Sequence, residues 1–537
     1  MGNKPVNVLL GILSGIILAV SWFSPFTLLV FIALVPLFIL TQQVHTSEVR
    51  RKSLRVWALS YLTFFLWNLI ATWWVYNASA GGAALAILAN SLLMSGVYLI
   101  WYQTERRIYG ELKFWLLIPF WLAFEHGHTL WDLTWTWLSL GNVFANTTSL
   151  IQWYEFTGVS GGSLWILAIN ILLVKIALKD YKVVKSYTKP VLLIVVPILI
   201  SFLISSIRTI ESEKKVNVTV IQPNIDPYNT KFVLDFNAQL NQLHQQLLNS
   251  EINKETQLVV LPETFIIEDV RENDYQNAPQ LGALRTLMKI HFPKAAILTG
   301  ASTYKILNPN DKPTATARKF DDANEYYDMY NTALYMDTAG VCTFYHKSKL
   351  VPGVERMPFP GIFKYFEKFA IEMGGTSGSL ATQDERTVFI DNIYNLKLAP
   401  AVCYESVYGD FMAKYIRSGA EVICIITNDG WWGNTPGHRQ HLAYAKLRAI
   451  ETRKQIIRSA NTGISCFVDE MGNIIQPKPY WEFAVINTNV SFNSVKSIFV
   501  RFGDLISYFS VISVFLILIL SQYLRMRNIN RESFQAR

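Results

Sequence analysis

Apolar positions along this chain follow two rhythms. In the N-terminal part they run almost unbroken, at about 7–22, 26–41, 57–76, 83–102, 113–126, 160–178 and 190–207, and they do so again at 504–524. Runs of roughly 17–25 apolar residues span a bilayer as a helix. The pattern predicts seven membrane helices before a central region and one after it. The stretch 113–126 (KFWLLIPFWLAFEH) is shorter than the rest and carries Pro119. The first run meets the second almost at once, and no A-x-A cleavage pattern follows it. That predicts an uncleaved helical hairpin rather than a signal peptide.

Between 213 and 496 the rhythm changes to short β runs alternating with helical spacing. Strands are predicted at 216–225, 256–263, 294–302, 396–406 and 421–429, helices at 232–251, 281–292 and 438–455, and hairpins at 329–347 and 463–475. This order predicts a layered α/β domain with two sheets inside and helices outside. The expected domains are thus 1–212, a seven-helix membrane bundle; 213–496, an inserted α/β sandwich; and 497–537, a last membrane helix with a basic tail.

Charge sets the orientation. Lys and Arg gather in alternate loops (Arg50, Arg51, Lys52 and Arg55; Arg106 and Arg107; Lys179, Lys182, Lys185 and Lys189) and in the tail (Arg525, Arg527, Arg531 and Arg537). The opposite loops, 23–25, 77–82 and 127–158, hold none. Positive charge marks the cytoplasmic side, so 213–496 is expected outside the cell membrane, on the periplasmic side of a bacterial inner membrane. Only 16% of residues are charged, against about 25% in ordinary soluble chains. The net charge of +8 is mainly this topology signal, and the soluble part shows no basic cluster for a nucleic acid.

The four cysteines, at 342, 403, 424 and 466, have neither disulfide-framework nor metal-site spacing. Cys424 and Cys466 lie in apolar strands and read as packing residues. Glu125 and His126 end the fifth apolar run among tryptophans. An ionisable group at that depth is a candidate for substrate contact, although tryptophans suit the interface equally. The Phe-rich stretch 356–375 is expected to be either a core helix or a segment dipping toward lipid.

Three polar residues end apolar strands: Glu263 (VVLPE), Lys347 (TFYHK) and Cys403 (LAPAVC). Functional side chains converge at strand ends along one sheet edge. A cysteine nucleophile needs a base for its proton and a cation for the negative charge that follows. These three residues supply all three parts. Position alone leaves the plainer reading open, since a strand-end Glu or Lys is usually solvated and a strand-end Cys usually packs.

The neighbouring residues extend the pattern: LPETF (261–265), YHKSKLVPG (345–353) and VCYES (402–406) resemble the nitrilase, or carbon–nitrogen hydrolase, superfamily. TNDGWWG (427–433) and GHRQHLAYAKLRAIETRKQIIRSANTGIS (437–465), with helices on both sides, are similar to its apolipoprotein N-acyltransferase branch. The resemblance implies an αββα sandwich inside a membrane bundle. It implies acyl transfer from a phospholipid, expected to be phosphatidylethanolamine, through a thioester on Cys403 to the N-terminal amine of diacylglyceryl-modified apolipoproteins. No cofactor and no metal are implied. By position, Glu263 is the general base and acid, Lys347 stabilises the oxyanion, and Glu355, Tyr404 and Glu405 support the site, with Trp431 and Phe232 as candidate substrate-binding residues.

Three departures stand out. Phe232 takes the place of a usual Trp, PGVE replaces the more usual PFGE, and Gly430 and Trp432 stand where Ala and Phe are usual. They bear on lid motion and acyl-chain fit. The rival reading is a membrane-anchored amidase with water as acceptor; a non-enzymatic lipoprotein-binding or transport protein is a third.

Overall fold

The computed structural model describes residues 4–179, 184–210, 212, 214–321, 323–356 and 379–535. All of 356–375 except Arg356 therefore lies outside the described residues, as do Lys182 and Arg537. By contact the chain divides into two units: Met1–Trp73, Ala83–Ile207 and Phe502–Arg537 form one, and Trp74–Gly82 with Arg208–Arg501 the other.

The first unit is helical. Among the described residues six helices are long and apolar enough to cross a membrane: Phe26–Thr46, Lys52–Asn77, Ala80–Tyr109, Tyr154–Leu178, Thr188–Ile207 and Leu505–Asn528. Lys4–Ser21 is a shorter apolar helix. The stretch expected to cross at 113–126 forms only the 11-residue helix Leu117–Gly127. At about 1.5 Å per residue this is roughly half a hydrocarbon core. Pro119 lies in the first turn of this helix, where its missing N–H leaves no helical bond unmade.

Polar side chains close the backbone where helices break. The helix beginning at Phe26 is interrupted at Leu34, whose N–H donates to Asn170 Oδ1 at 2.9 Å, while Asn170 Nδ2 donates to Val30 O at 2.9 Å. In lipid such groups must find protein partners. Glu125 works similarly. It accepts from Trp121 Nε1 (2.9 Å), Leu140 N (2.7 Å) and Ser163 Oγ (2.6 Å). Its oxygens therefore bind a short helical turn to the helix Tyr154–Leu178, a sufficient structural reason for a carboxylate there.

Among the described residues the second unit holds two sheets. The eight-stranded sheet runs β14-β1-β2-β4-β6-β5, with β3 on β4 and β7 on β6. Its strands are β1 Lys214–Gln222, β2 Leu258–Val260, β3 Ile266–Arg271, β4 Ala296–Ile306, β5 Arg318–Lys319, β6 Tyr326–Met336, β7 Cys342–His346 and β14 Ala484–Phe492. The six-stranded sheet runs β13-β12-β11-β10-β9-β8, with β8 Phe389–Asp391, β9 Leu396–Val402, β10 Val422–Thr427, β11 Ile456–Ala460, β12 Cys466–Val468 and β13 Ile474–Ile475. The sheets face each other, β1 and β2 against β11 and β6 against β9.

Helices Phe236–Leu248 and Pro279–His291 cover the first sheet. Asp235 caps the former by accepting from Ala238 N at 2.7 Å. Pro279 opens the latter, where a missing N–H costs nothing. Phe236, Leu240, Leu243 and Leu247 form one buried face. They pack with Leu284 and Met288 over Ile221, Val259, Ile297 and Leu334. Helices Gly409–Arg417 and Pro436–Thr452 belong with the second sheet. Helix outside and sheet inside on both sides is the expected sandwich. The sequence reading missed β3, β5, β8, β11, β14 and the helix Gly409–Arg417.

Candidate active site

Strand direction brings the site together. β1 and β2 are parallel, as are β9, β10 and β11. β7 is antiparallel to β6, and β6 to β4, so β7 points the same way as β2 and β4. Glu263, Lys347, Cys403 and Asp429 therefore all follow C-terminal strand ends.

Glu263 sits where β2 gives way to a tight turn. Leu261 N still donates to Leu298 O (2.8 Å), and Gly300 N donates to Pro262 O (3.0 Å). Thr264 has φ 48°. This turn presses onto β4: a Cβ at Gly300 would lie 2.3 Å from Thr264 N and 2.5 Å from Glu263 Cα. Only glycine leaves room for it.

Lys347 follows β7 directly, and its N–H continues the ladder to Asn331 O at 2.8 Å. Its Nζ donates to Glu263 Oε1 at 3.1 Å and to Glu355 Oε1 at 2.9 Å. Asn331 Nδ2 donates to the same two oxygens at 2.8 and 2.9 Å. Asn428 N donates to Glu263 Oε2 at 3.1 Å, and Val351 N to Glu355 Oε2 at 2.8 Å.

Cys403 directly follows the buried strand β9 with φ 52°, a backbone conformation that L residues rarely adopt, and begins the short turn Cys403–Val407. Two sets of contacts hold it. Glu405 accepts from Val402 N (2.8 Å), Tyr345 OH (2.6 Å) and Ser348 N (2.7 Å), which ties the cysteine turn to the loop after Lys347. Behind the turn, His441 Nε2 lies 3.1 Å from Cys403 O and 3.0 Å from Ser406 Oγ. His441 Nδ1 lies 2.9 Å from Asp429 Oδ1, and Asp429 Oδ2 accepts from Arg458 Nη2 at 2.6 Å.

Burial and charge then set the protonation states. Burial pushes the Cys403 thiol above its ordinary range; Glu263 adds to this and Lys347 opposes it. Burial alone would raise Glu263, but Lys347 and Asn331 more than offset that and keep it low. Burial would lower Lys347, yet Glu263, Glu355 and Cys403 hold it well above the usual value. Together these shifts favour a neutral thiol at Cys403, a carboxylate at Glu263 and an ammonium at Lys347.

The other sequence candidates lie at different places. Tyr404 is buried against Tyr408, ring centroids 5.2 Å apart. Phe232 is exposed and stacks on Trp431 at 6.1 Å, and Tyr228 meets Trp431 edge-on at 5.3 Å. Trp432 instead packs against Trp74 at 4.9 Å. Lys231, Asn331, Asp429, His441 and Arg458 were not picked out from sequence. Among the described residues no cluster of three or more His, Cys, Asp or Glu side chains could hold a metal.

Residues 217–498, more than half of the chain, match the carbon–nitrogen hydrolase family. The chain belongs to that family. Residues 14–172 match a second description, the apolipoprotein N-acyltransferase N-terminal domain. This carbon–nitrogen hydrolase is 29% identical to an apolipoprotein N-acyltransferase of Chlorobaculum tepidum, over 93% of both chains. It is 26% identical to one of Geobacter metallireducens, over 94% of this chain and 92% of that one. Among solved structures, Saccharomyces cerevisiae Nit3 of the nitrilase superfamily aligns over 52% of this chain and 91% of its own, with 15% identity and TM-score 0.37.

Proposed function

We propose that this carbon–nitrogen hydrolase is the lipoprotein N-acyltransferase of a bacterial inner membrane, working by way of a cysteine thioester. Glu263 takes the Cys403 proton. The sulfur attacks an ester carbonyl of a phospholipid, and the carbonyl oxygen becomes an oxyanion beside Lys347. The carbon–oxygen bond then breaks, Glu263 returns the proton to the departing alkoxide, and a lysophospholipid leaves. In the second half the α-amine of a diacylglyceryl-cysteine attacks the thioester carbonyl and gives a proton to Glu263. The carbon–sulfur bond breaks, and the proton returns to Cys403. A thioester suits this step because an amine attacks it more readily than an oxygen ester.

The observation that carries the reading is Lys347 held between Glu263 and Glu355 at 3.1 and 2.9 Å, with Cys403 in their field. Both named substrates are lipid-anchored, and apolar helices lie on both sides of the domain in sequence. The Lys/Arg asymmetry of the loops supports a periplasmic site. The donor is taken to be phosphatidylethanolamine.

The test uses purified protein in mixed micelles with phosphatidylethanolamine and a synthetic diacylglyceryl-cysteine peptide. A peptide heavier by one acyl chain, with stoichiometric lysophospholipid, is expected. Release of free fatty acid with no modified peptide would instead mean that water is the acceptor, as in an amidase.

A further inference from the structure

The two carboxylates of the site outnumber Lys347. Glu263 and Glu355 share its ammonium, which leaves one negative charge in excess where a thiolate must form. A second cation stands close by. The turn after Asp226 carries Lys231, whose backbone N–H donates to Asp226 O at 2.8 Å and whose carbonyl accepts from Gln239 Nε2 at 2.6 Å. Its side chain is 2% exposed, and Nζ donates to the carbonyl oxygen of Glu263 at 3.1 Å. Nζ also lies 5.7 Å from the Phe232 ring centroid. Among the described residues that carbonyl is the one hydrogen-bond acceptor of Nζ. A buried cation is costly unless negative groups offset it, and the groups that act on this one are Glu263 and Cys403.

We infer that Lys231 is a positioning residue of the acyl-transfer site, whose ammonium cancels the second carboxylate so that the Cys403 proton moves to Glu263 within a cluster of no net charge. The inference rests on the acyl-transfer reading above. Before transfer the count is Glu263 and Glu355 against Lys347 and Lys231. Afterwards it is Glu355 and the Cys403 thiolate against the same two cations. Without Lys231 each state carries one uncompensated negative charge, and a like charge resists making the thiolate.

The charged and titratable groups acting on Lys231 are Glu263, after β2, and Cys403, after β9; Lys347 and Glu355 complete the cluster. Burial presses the ammonium down to about 8, against the pull of Glu263 and then Cys403. Its charge is therefore present at neutral pH and lost under mildly alkaline conditions. A folded-state value below the ordinary one also means that holding this charge buried works against folding at pH 7.

The test follows the first half-reaction alone, acyl-Cys403 formation from phosphatidylethanolamine in micelles, between pH 6 and 9.5, with melting temperature alongside. The unsubstituted protein is expected to acylate ever more slowly above pH 8, as Lys231 loses its proton. Lys231→Met is expected to be slower at pH 7 by about tenfold or more, to lack that alkaline break, and to melt no lower. Lys231→Arg, whose charge does not titrate, is expected to keep most of the rate and lose the break. An unsubstituted protein whose rate holds or rises above pH 8 overturns the inference, and this arm needs no variant to fold. So does a Lys231→Met protein with unchanged rate and profile, or one that is slow, melts lower and keeps the break, as a purely structural residue would. Acylation without the pH signature thus defeats the role of Lys231 alone. No acyl adduct at any pH defeats the acyl-transfer reading, and this inference with it.

Discussion

Glu263 and Glu355 share one ammonium and one amide. Lys347 Nζ reaches an oxygen of each, at 3.1 and 2.9 Å, and Asn331 Nδ2 reaches the same two oxygens at 2.8 and 2.9 Å. The carboxylates differ in what else they meet. Glu263 acts on the Cys403 thiol, whereas the second oxygen of Glu355 accepts from Val351 N.

Their substitutions are expected to differ in the same way. Glu263→Gln removes the proposed base and is expected to lower Cys403 acylation by about 10²–10⁴-fold. Glu355→Gln leaves the proposed base and its ammonium in place and is expected to cost less. Rates of acyl-Cys403 formation check this, and equal losses would contradict the assignment of the base.

Glu405 gives a prediction about stability. At least three donors converge on its two oxygens: Val402 N, Tyr345 OH and Ser348 N. Glu405→Gln keeps the shape but turns one acceptor into a donor. One buried N–H or O–H then faces another donor, at a cost of about 1–3 kcal/mol. A lower melting temperature together with slower acylation is expected, because the same contacts hold the cysteine turn. Normal stability with normal rate would show that the turn needs no such tie.

Asp429 gives a pH dependence. Burial would raise its carboxyl, but Arg458 and then His441 bring it far below the ordinary carboxylate range. A depressed folded-state value adds stability that is fully present above the unfolded value of about 3.9 and is lost as pH falls from there. Asp429→Asn is therefore expected to lower the melting temperature at pH 7 and to flatten its fall on acidification. Melting curves from pH 7 down to about 2, through the window below about 3.9, decide it. His441 reaches both Asp429 and the Cys403 carbonyl, so slower acylation should accompany the loss.

Gly300 gives the last. A methyl group there would sit 2.3 Å from Thr264 N, so Gly300→Ala must displace the Glu263 turn or the strand beneath it. Acylation is expected to fall with little change in micelle binding. A fully active Gly300→Ala protein would contradict the close packing described.

The sequence carried the outlines of this fold because its strongest signals are long and periodic. VICIIT is buried at every position as β10, and FNAQLNQLHQQLL buries one face as a helix. The missed strands lack such a signal. β3, IIEDVR, buries only two of its six residues, and β5 has only two residues. β14, AVINTNVSF, is polar enough to pass for a loop until it pairs with β1 along nine positions. Glu263, Lys347 and Cys403 were legible from strand ends and from the motifs around them. Lys231 was not, because in YNTKF nothing marks a lysine that will be buried. Asn331 and His441 take their importance from partners distant in sequence.

The most direct measurement is the mass of the Cys403 peptide after the purified protein meets phosphatidylethanolamine. The account predicts one added fatty acyl group, removable by hydroxylamine and absent from Cys403→Ala. An unmodified Cys403 in protein that nevertheless acylates the diacylglyceryl-cysteine peptide would contradict it.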